Sequence, residues 1–458
     1  TMISVVSLAL LFVALAQADV YMHNPRGSNV RLNEGNTNRQ NANRLFNSQN
    51  NAKGGYGVNT YTEPMKFYAG SWLTVEWTNQ HACSNTNTDC TIILQYMCTS
   101  GAVGANVLMR DGLTTNKINT TNYADTNEET GKLTYGMHES LEYYHRCEAR
   151  DRNKGLYLAD QNPNGQNAQY TRQNAGGTRY GFECQEERDY YPYWHPTPWR
   201  DIAILTSDVS RCEYYQEQSE NVKGRNECSE PEFNNEEDCL AGTGVWNRVN
   251  AHNEPAPDCV EAPWARANSL SNSQDGFLNS YNWTIPTQGF GGLGSEQSCF
   301  VRIRYNISTA DFDSWDPALD SSKNDDLSII ADNPFVGLNS DESQVAADNG
   351  AFLRMAIDTN QFGRTFEDRS YTFAIFRPKT TLPFRRVYNL NVRGKRGNIA
   401  QVRNCVEYDF VPQRLEVRQG DFIHIQWTGS NHNNKNNAGE GKAGTDRSNM
   451  VQLVANDN

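Results

Sequence analysis

One strand pattern is written twice in this chain, and it constrains the fold more than any other feature. The first copy is Met65 to Thr78 (MKFYAGSWLTVEWT) and the second is Leu415 to Thr428 (LEVRQGDFIHIQWT). Aligned on Gly70 and Gly420, Met65 falls on Leu415, Phe67 on Val417, Leu73 on Ile423, Val75 on Ile425, Trp77 on Trp427 and Thr78 on Thr428. Both copies alternate apolar and polar residues, the period of a strand with one buried face. The glycine stands where a tight turn would join two such strands. The match resumes downstream, where Asp89, Leu94 and Gln95 fall on Asp446, Val451 and Gln452 after a longer loop in the second copy. The expectation is a mainly β protein built from two related β-sandwich units.

The N-terminus points to an extracellular setting. Ile3 to Leu15 is apolar and Ala16-Gln17-Ala18 has the small-x-small form of a signal peptidase site, so residues 1–18 read as a signal peptide and the mature chain is expected to start at Asp19. That run is shorter than the roughly 20 residues a bilayer requires, and no later stretch is apolar enough to insert. Eleven cysteines agree with a secreted protein. Cys83, Cys90, Cys98, Cys147, Cys184, Cys212, Cys228, Cys239, Cys259 and Cys299 are the disulfide candidates, with pairing left open; Cys405 makes the count odd. Asn119, Asn282 and Asn306 head N-x-Ser/Thr sequons and are candidate glycan acceptors. A net charge of −13, spread along the chain, argues against nucleic acid and anionic membranes as partners. Extracellular glycans or matrix proteins are the expected partners.

The organisation reads as five segments. After residues 1–18, residues 19–211 form the first sandwich unit, with an Asn-rich leading segment and an aromatic block. Residues 212–260 are a Cys-rich insertion, too short for much core and dependent on disulfides. Residues 261–385 continue the first unit. Residues 386–458 are a second β unit, with fewer strands than a sandwich needs, and the sequence is expected to be truncated there. Within these segments Cys90 to Cys98 (CTIILQYMC) reads as a central strand, near-continuously apolar. Cys299, Val301, Ile303 and Tyr305 alternate with Arg302 and Arg304. Phe352 to Ile357 and Tyr371 to Phe376 are further candidate strands, and Asp201 to Thr206 is a short buried strand or helical turn.

Candidate chemistry is sparse. Tyr180 to Trp199 (YGFECQEERDYYPYWHPTPW) is dense in aromatics, and three prolines in seven residues exclude regular helix. It reads as a packed lid or as a contact surface. In the second case Tyr190, Tyr191, Tyr193, Trp194 and Trp199 are the candidates for stacking on sugar rings. Phe410, Pro412, Gly420 and Asp421 resemble the cupredoxin pattern, which completes the fold class: two immunoglobulin/cupredoxin-like sandwiches with a Cys-rich insertion and long Asn-rich loops. Cupredoxins hold copper by two His and a Cys. His81 and His432 stand in suitable loops, but a following Cys-His-Met cluster is missing in the first unit. His23 would brace copper as a polysaccharide oxygenase does only if cleavage followed Met22. His138, His145 and His195 are a weak candidate metal group, since a zinc site needs three or four convergent ligands. Calcium is a weak candidate at Asp311, Asp313, Asp316, Asp320, Asp325 and Asp326, whose spacing lacks the Gly and Glu of an EF-hand loop. Glu186 and Glu187 read as solvated surface rather than a glycosidase pair. The nucleophile-elbow, zincin and phosphate-loop motifs are absent from the sequence.

Longer stretches carry a resemblance. DVYMHNPRGSN, NRLFNSQNNAKGGY, VEWTNQHAC, YGMHES, ADQNPNG, RDYYPYWHPTPW, YNLNVRGKRGN and VEYDFVPQRLEVRQGD resemble a family of secreted proteins first named from a slime-mould developmental gene, DD-three-three. The resemblance covers nearly all of residues 19–458. It implies an extracellular location and carries no catalytic residue across. The expected function is thus a secreted, disulfide-bonded glycoprotein with a structural or binding role in an extracellular matrix or cell-surface coat, with carbohydrate as the candidate ligand. The alternative is a copper-dependent extracellular oxidase or polysaccharide oxygenase.

Overall fold

The computed structural model describes residues 20–25, 65–79, 83–84, 88–99, 190–233, 235–265, 278–289, 292–309, 354–355, 364–370, 373–377, 386–392, 409–426 and 450–451, with the isolated residues 143 and 146. The signal-peptide segment, the Asn-rich run beyond residue 25 and the acidic calcium stretch lie outside them. The strands in chain order are β1 (Val20–Asn24), β2 (Lys66–Tyr68), β3 (Trp72–Asn79), β4 (Thr88–Thr99), β5 (Tyr190–Tyr191), β6 (Arg200–Thr206), β7 (Arg225–Cys228), β8 (Trp246–Val249), β9 (Asp258–Glu261), β10 (Asn279–Thr284), β11 (Glu296–Thr309), β12 (Arg354–Met355), β13 (Arg364–Arg369), β14 (Phe373–Phe376), β15 (Val387–Val392), β16 (Phe410–Val411) and β17 (Phe422–Gln426). Two short helices, α1 (Cys212–Gln218) and α2 (Glu236–Ala241), belong to the Cys-rich insertion.

Two sheets face each other. One runs β2-β14-β11-β4-β6-β9, with β13 also on β11; the other joins β1, β10 and β15 to β3, and β16 and β17 to β15. Alternation decides what lies between them. Leu73, Val75 and Trp77 of β3 meet Ile92, Leu94 and Tyr96 of β4 and Val301, Ile303 and Tyr305 of β11, in one buried cluster with Phe67, Phe373 and Ile375. β4 is central, antiparallel to both β6 and β11, which is why its sequence is apolar on both faces.

The second copy of the motif does not build its own pair of facing sheets among the described residues. Instead β15 runs parallel to β3 at Tyr388 and Trp72 and parallel to β17 from Val387 to Asn391, so β3 of the first copy and β17 of the second share one sheet. Side chains secure the junction. The Asn389 amide donates to Ser71 Oγ and to the Trp72 carbonyl, both at 2.8 Å. The Gln426 side chain exchanges two hydrogen bonds with the Lys66 backbone, at 2.8 and 2.7 Å. The repeat is closest at the turn, where both glycines are left-handed, Gly70 at φ +82° and Gly420 at φ +94°. It differs in burial: Phe67 and Leu73 are fully enclosed, whereas their counterparts Val417 and Ile423 are 44% and 43% exposed.

That difference yields a graded expectation. An alanine in the left-handed region costs about 1–2 kcal/mol, and both Gly70→Ala and Gly420→Ala incur it. At Gly70 the added Cβ also lies 3.0 Å from the methyl of Thr287, while at Gly420 it meets nothing within 4 Å. Gly70→Ala should therefore lower the melting temperature more than Gly420→Ala; equal shifts would mean that the Thr287 contact yields freely.

Four disulfides lie among the described residues: Cys83–Cys90, Cys98–Cys299, Cys212–Cys259 and Cys228–Cys239. The last two staple the insertion, which rejoins the main sheet where β9 runs parallel to β6. Cys147, Cys184 and Cys405 lie outside the described residues.

Candidate functional site

From Tyr191 to Trp199 the aromatic block is a lid, and it covers charge. Arg302 and Arg304 alternate with the core residues of β11 and so project from the opposite face of that sheet. On a half-buried strand they would meet water. Here Arg302, Arg304 and Arg369 are all buried. The Trp199 ring packs against the Arg302 guanidinium at 3.7 Å and the Arg369 guanidinium at 4.8 Å, a favourable cation–π arrangement when desolvated. Met97 and Phe300 pack with Trp199 in the same buried cluster. Arg302 donates from Nε to Gln95 Oε1 at 2.7 Å and from Nη2 to the Tyr193 hydroxyl at 3.1 Å. Gln95 passes the connection on, donating from Nε2 to Asp201 Oδ1 at 2.7 Å. Asp201 Oδ2 also accepts from Tyr191 and Ser219.

This arrangement corrects the sugar-stacking assignment. Tyr191, Tyr193, Trp194 and Trp199 are 2%, 3%, 4% and 1% exposed, and rings so enclosed offer no face to a sugar. Tyr193 and Trp199 lie over the charged face of β11, whose arginines find their partners within the protein instead of in water. Tyr190 is placed only as backbone in β5, paired with Met355.

Glu367, Asp368 and Arg369 are the residues that sequence reasoning missed. They form the end of β13, register opposite Arg304, Ile303 and Arg302, and are fully buried. Glu367 pairs with Arg304 at 3.0 Å and with Arg369 Nε at 2.6 Å. Asp368 points to the other side, where its Oδ2 accepts from the Met22 amide at 2.9 Å. The available signal was the two arginines in an apolar strand, which require countercharge.

Beside the lid, Glu220 is buried and accepts from the Thr197 amide at 2.8 Å and the Thr197 hydroxyl at 2.6 Å. Burial pushes its carboxyl up to about 8, against the opposing pull of the Arg225 guanidinium and the Thr197 hydrogen bonds. The folded protein thus holds a proton that the unfolded chain, titrating near 4.5, gives up earlier. Stability should fall as pH rises between those two values and flatten above them. Glu254, raised by burial, acts in the same direction. Melting curves from pH 4 to pH 9 are expected to show this decline, and Glu220→Gln should flatten part of it; an unchanged slope in the variant would assign the decline elsewhere.

The described histidines do not gather into a metal-binding group. His195 is buried, and its Nδ1 donates to the Pro196 carbonyl at 3.0 Å. His138 and His145 lie outside the described residues, as do His81 and His432. His23 is buried inside β1, 2.6 Å from Thr78 Oγ1, and Val20 to Met22 are paired to β3 ahead of it. Among the described residues no three His, Cys, Asp or Glu side chains converge as a metal site.

The sequons separate by burial. Asn306 is 8% exposed on β11, which leaves a glycan no path to solvent and corrects that assignment. Asn119 lies outside the described residues. Asn282 is exposed on β10. It lines an open cleft of about 200 Å³ together with Trp72, Thr74, Tyr388, Asn389 and Arg414. The register explains the grouping: Asn282 stands opposite Thr74 and Thr284 opposite Trp72, and the two-residue period puts all four on one face. Trp72 and Tyr388 meet edge to face at 5.5 Å, and the Arg386 guanidinium lies 4.5 Å from the Trp72 ring.

The cleft therefore has one wall from residues before 375 and one from residues after 385, and the same division appears in the family matches. Residues 18–375 match the DD3-3 N-terminal domain and residues 385–458 match the DD3-3 cupredoxin-like domain. No curated protein and no solved structure matches the chain. With its two matches spanning the sandwich and the strands that extend it, the chain belongs to the DD3-3 family.

Proposed function

We propose that this protein is a secreted glycoprotein with a structural role in an extracellular matrix or cell-surface coat. The observation that carries the reading is the way its charged and aromatic side chains are used. Arg302, Arg304, Arg369, Glu367 and Asp201 are engaged with one another or with Trp199, Gln95 and Tyr191 inside the packed lid. Such a network rigidifies a fold. Disulfides of this density suit an oxidising compartment, and no helix among the described residues is long and apolar enough to cross a membrane. Extracellular glycans or matrix proteins are the partners this role calls for.

Fractionating cells that express the tagged full chain tests this. The protein is expected in the medium and the insoluble extracellular fraction, with a mobility shift on reduction. Retention inside the cell would overturn the proposal. Stoichiometric copper in the purified protein would replace it with the oxidase alternative.

A further inference from the structure

We propose that Asn282 carries an N-linked glycan whose first sugar seats in the cleft between the two units, against Trp72 and Tyr388, and clamps the second unit to the first. The inference rests on the reading of the protein as secreted, since glycan transfer requires entry to that pathway. Asn282-Trp283-Thr284 is a sequon on a strand whose Asn and Thr side chains face outward while Trp283 is buried. The Thr74 hydroxyl donates to Asn282 Oδ1 at 2.7 Å, which holds the amide by its oxygen. The nitrogen, the atom that takes the sugar, belongs to a side chain that lines the cleft.

The lining suits a pyranose. Trp72 and Tyr388 offer apolar ring surface, and Arg414 and Glu416 stand on the rim as donor and acceptor, paired with each other at 2.6 Å and largely exposed. Size decides between a free and an attached occupant. At about 200 Å³ the cleft is smaller than the roughly 300–1,000 Å³ of sites that hold free small molecules by contact alone. A sugar already bonded to Asn282 needs little intrinsic affinity, because a short tether supplies an effective concentration in the mM range. Geometry adds the consequence. Trp72, Thr74 and Asn282 belong to the first unit, whereas Tyr388, Asn389, Pro412 and Arg414 belong to the second, so a seated sugar bridges them.

The test uses the full chain secreted from eukaryotic cells. Glycopeptide mass spectrometry is expected to find Asn282 occupied and Asn306 bare. Release of the Asn282 glycan by peptide-N-glycosidase from the folded protein should be at least tenfold slower than from the unfolded protein. Trp72→Ala should abolish that protection. Arg414→Ala, on the exposed rim and no threat to folding, should reduce it. Thr284→Ala, which removes the sequon, should lower the melting temperature by a few degrees, and Thr284→Ser, which keeps it, should not. A secreted protein bare at Asn282, or one whose Asn282 glycan is released as fast folded as unfolded, overturns the proposal while leaving the secretion reading intact. A chain retained in the cell with every sequon empty overturns both.

Discussion

Replacing Glu367 by Gln should destabilise the protein by about 3–5 kcal/mol, the cost of breaking a buried ion pair by removing one partner. Glu367 is fully buried and faces two equally buried guanidiniums, Arg304 at 3.0 Å and Arg369 at 2.6 Å. Gln preserves shape but removes the charge and turns an N–H₂ toward one of the cations. The pair Arg414–Glu416 is the control. Its contact is as close, at 2.6 Å, but both side chains are largely exposed, and Glu416→Gln should cost below about 1 kcal/mol. Urea denaturation of both variants, read as shifts in midpoint at constant slope, checks this. Equal small losses would show that water reaches Glu367. The same reasoning says what the number is not: replacing the whole charged group by well-packed apolar residues can be neutral, so the loss measures desolvation left uncompensated.

The second large effect is expected from Cys98–Cys299. This bridge closes 201 residues, whereas Cys83–Cys90 closes 7. Loop-closure entropy grows with the logarithm of loop length, so removing the long bridge should cost roughly 3 kcal/mol more than removing the short one. The difference holds even though Cys212–Cys259 shortens the long loop by 47 residues, because the dependence is logarithmic. Thermal unfolding of Cys98→Ala/Cys299→Ala beside Cys83→Ala/Cys90→Ala gives the comparison. If the short bridge mattered as much as the long one, chain entropy would not be the controlling term. Cys98 and Cys299 are direct neighbours in the β4–β11 ladder, so the bridge also pins the register of the two central strands.

Much of the fold was legible in the sequence. The period of two in Met65 to Thr78 placed β2 and β3 with the turn at Gly70 between them, and the apolar run Cys90 to Cys98 placed a central strand. The same period separated Val301 and Ile303 from Arg302 and Arg304. It could not tell what lay over the arginine face. β13 escaped notice because Arg-Thr-Phe-Glu-Asp-Arg has the composition of a solvated loop. Its charges become compatible with a buried strand only opposite Arg302 and Arg304, which stand some sixty residues earlier. The aromatic block was recognisable as lid or contact surface, and only packing separated the two. The cleft was invisible, since Trp72, Asn282 and Tyr388 come from three distant strands that meet through β3 and β15.

By itself, then, the amino-acid sequence determined what few neighbouring residues can enforce: strand period, the tight turns at Gly70 and Gly420, and a cysteine content suited to an oxidising compartment. The tertiary structure decided which faces were covered, which cysteines met, which acids answered the buried arginines, and which sequon opened onto a cleft. The physical reason is range. Backbone conformation is local, whereas desolvation depends on whatever the rest of the chain brings against a side chain. Arg302 and Arg414 carry the same group; one ended beneath Trp199 and the other in water.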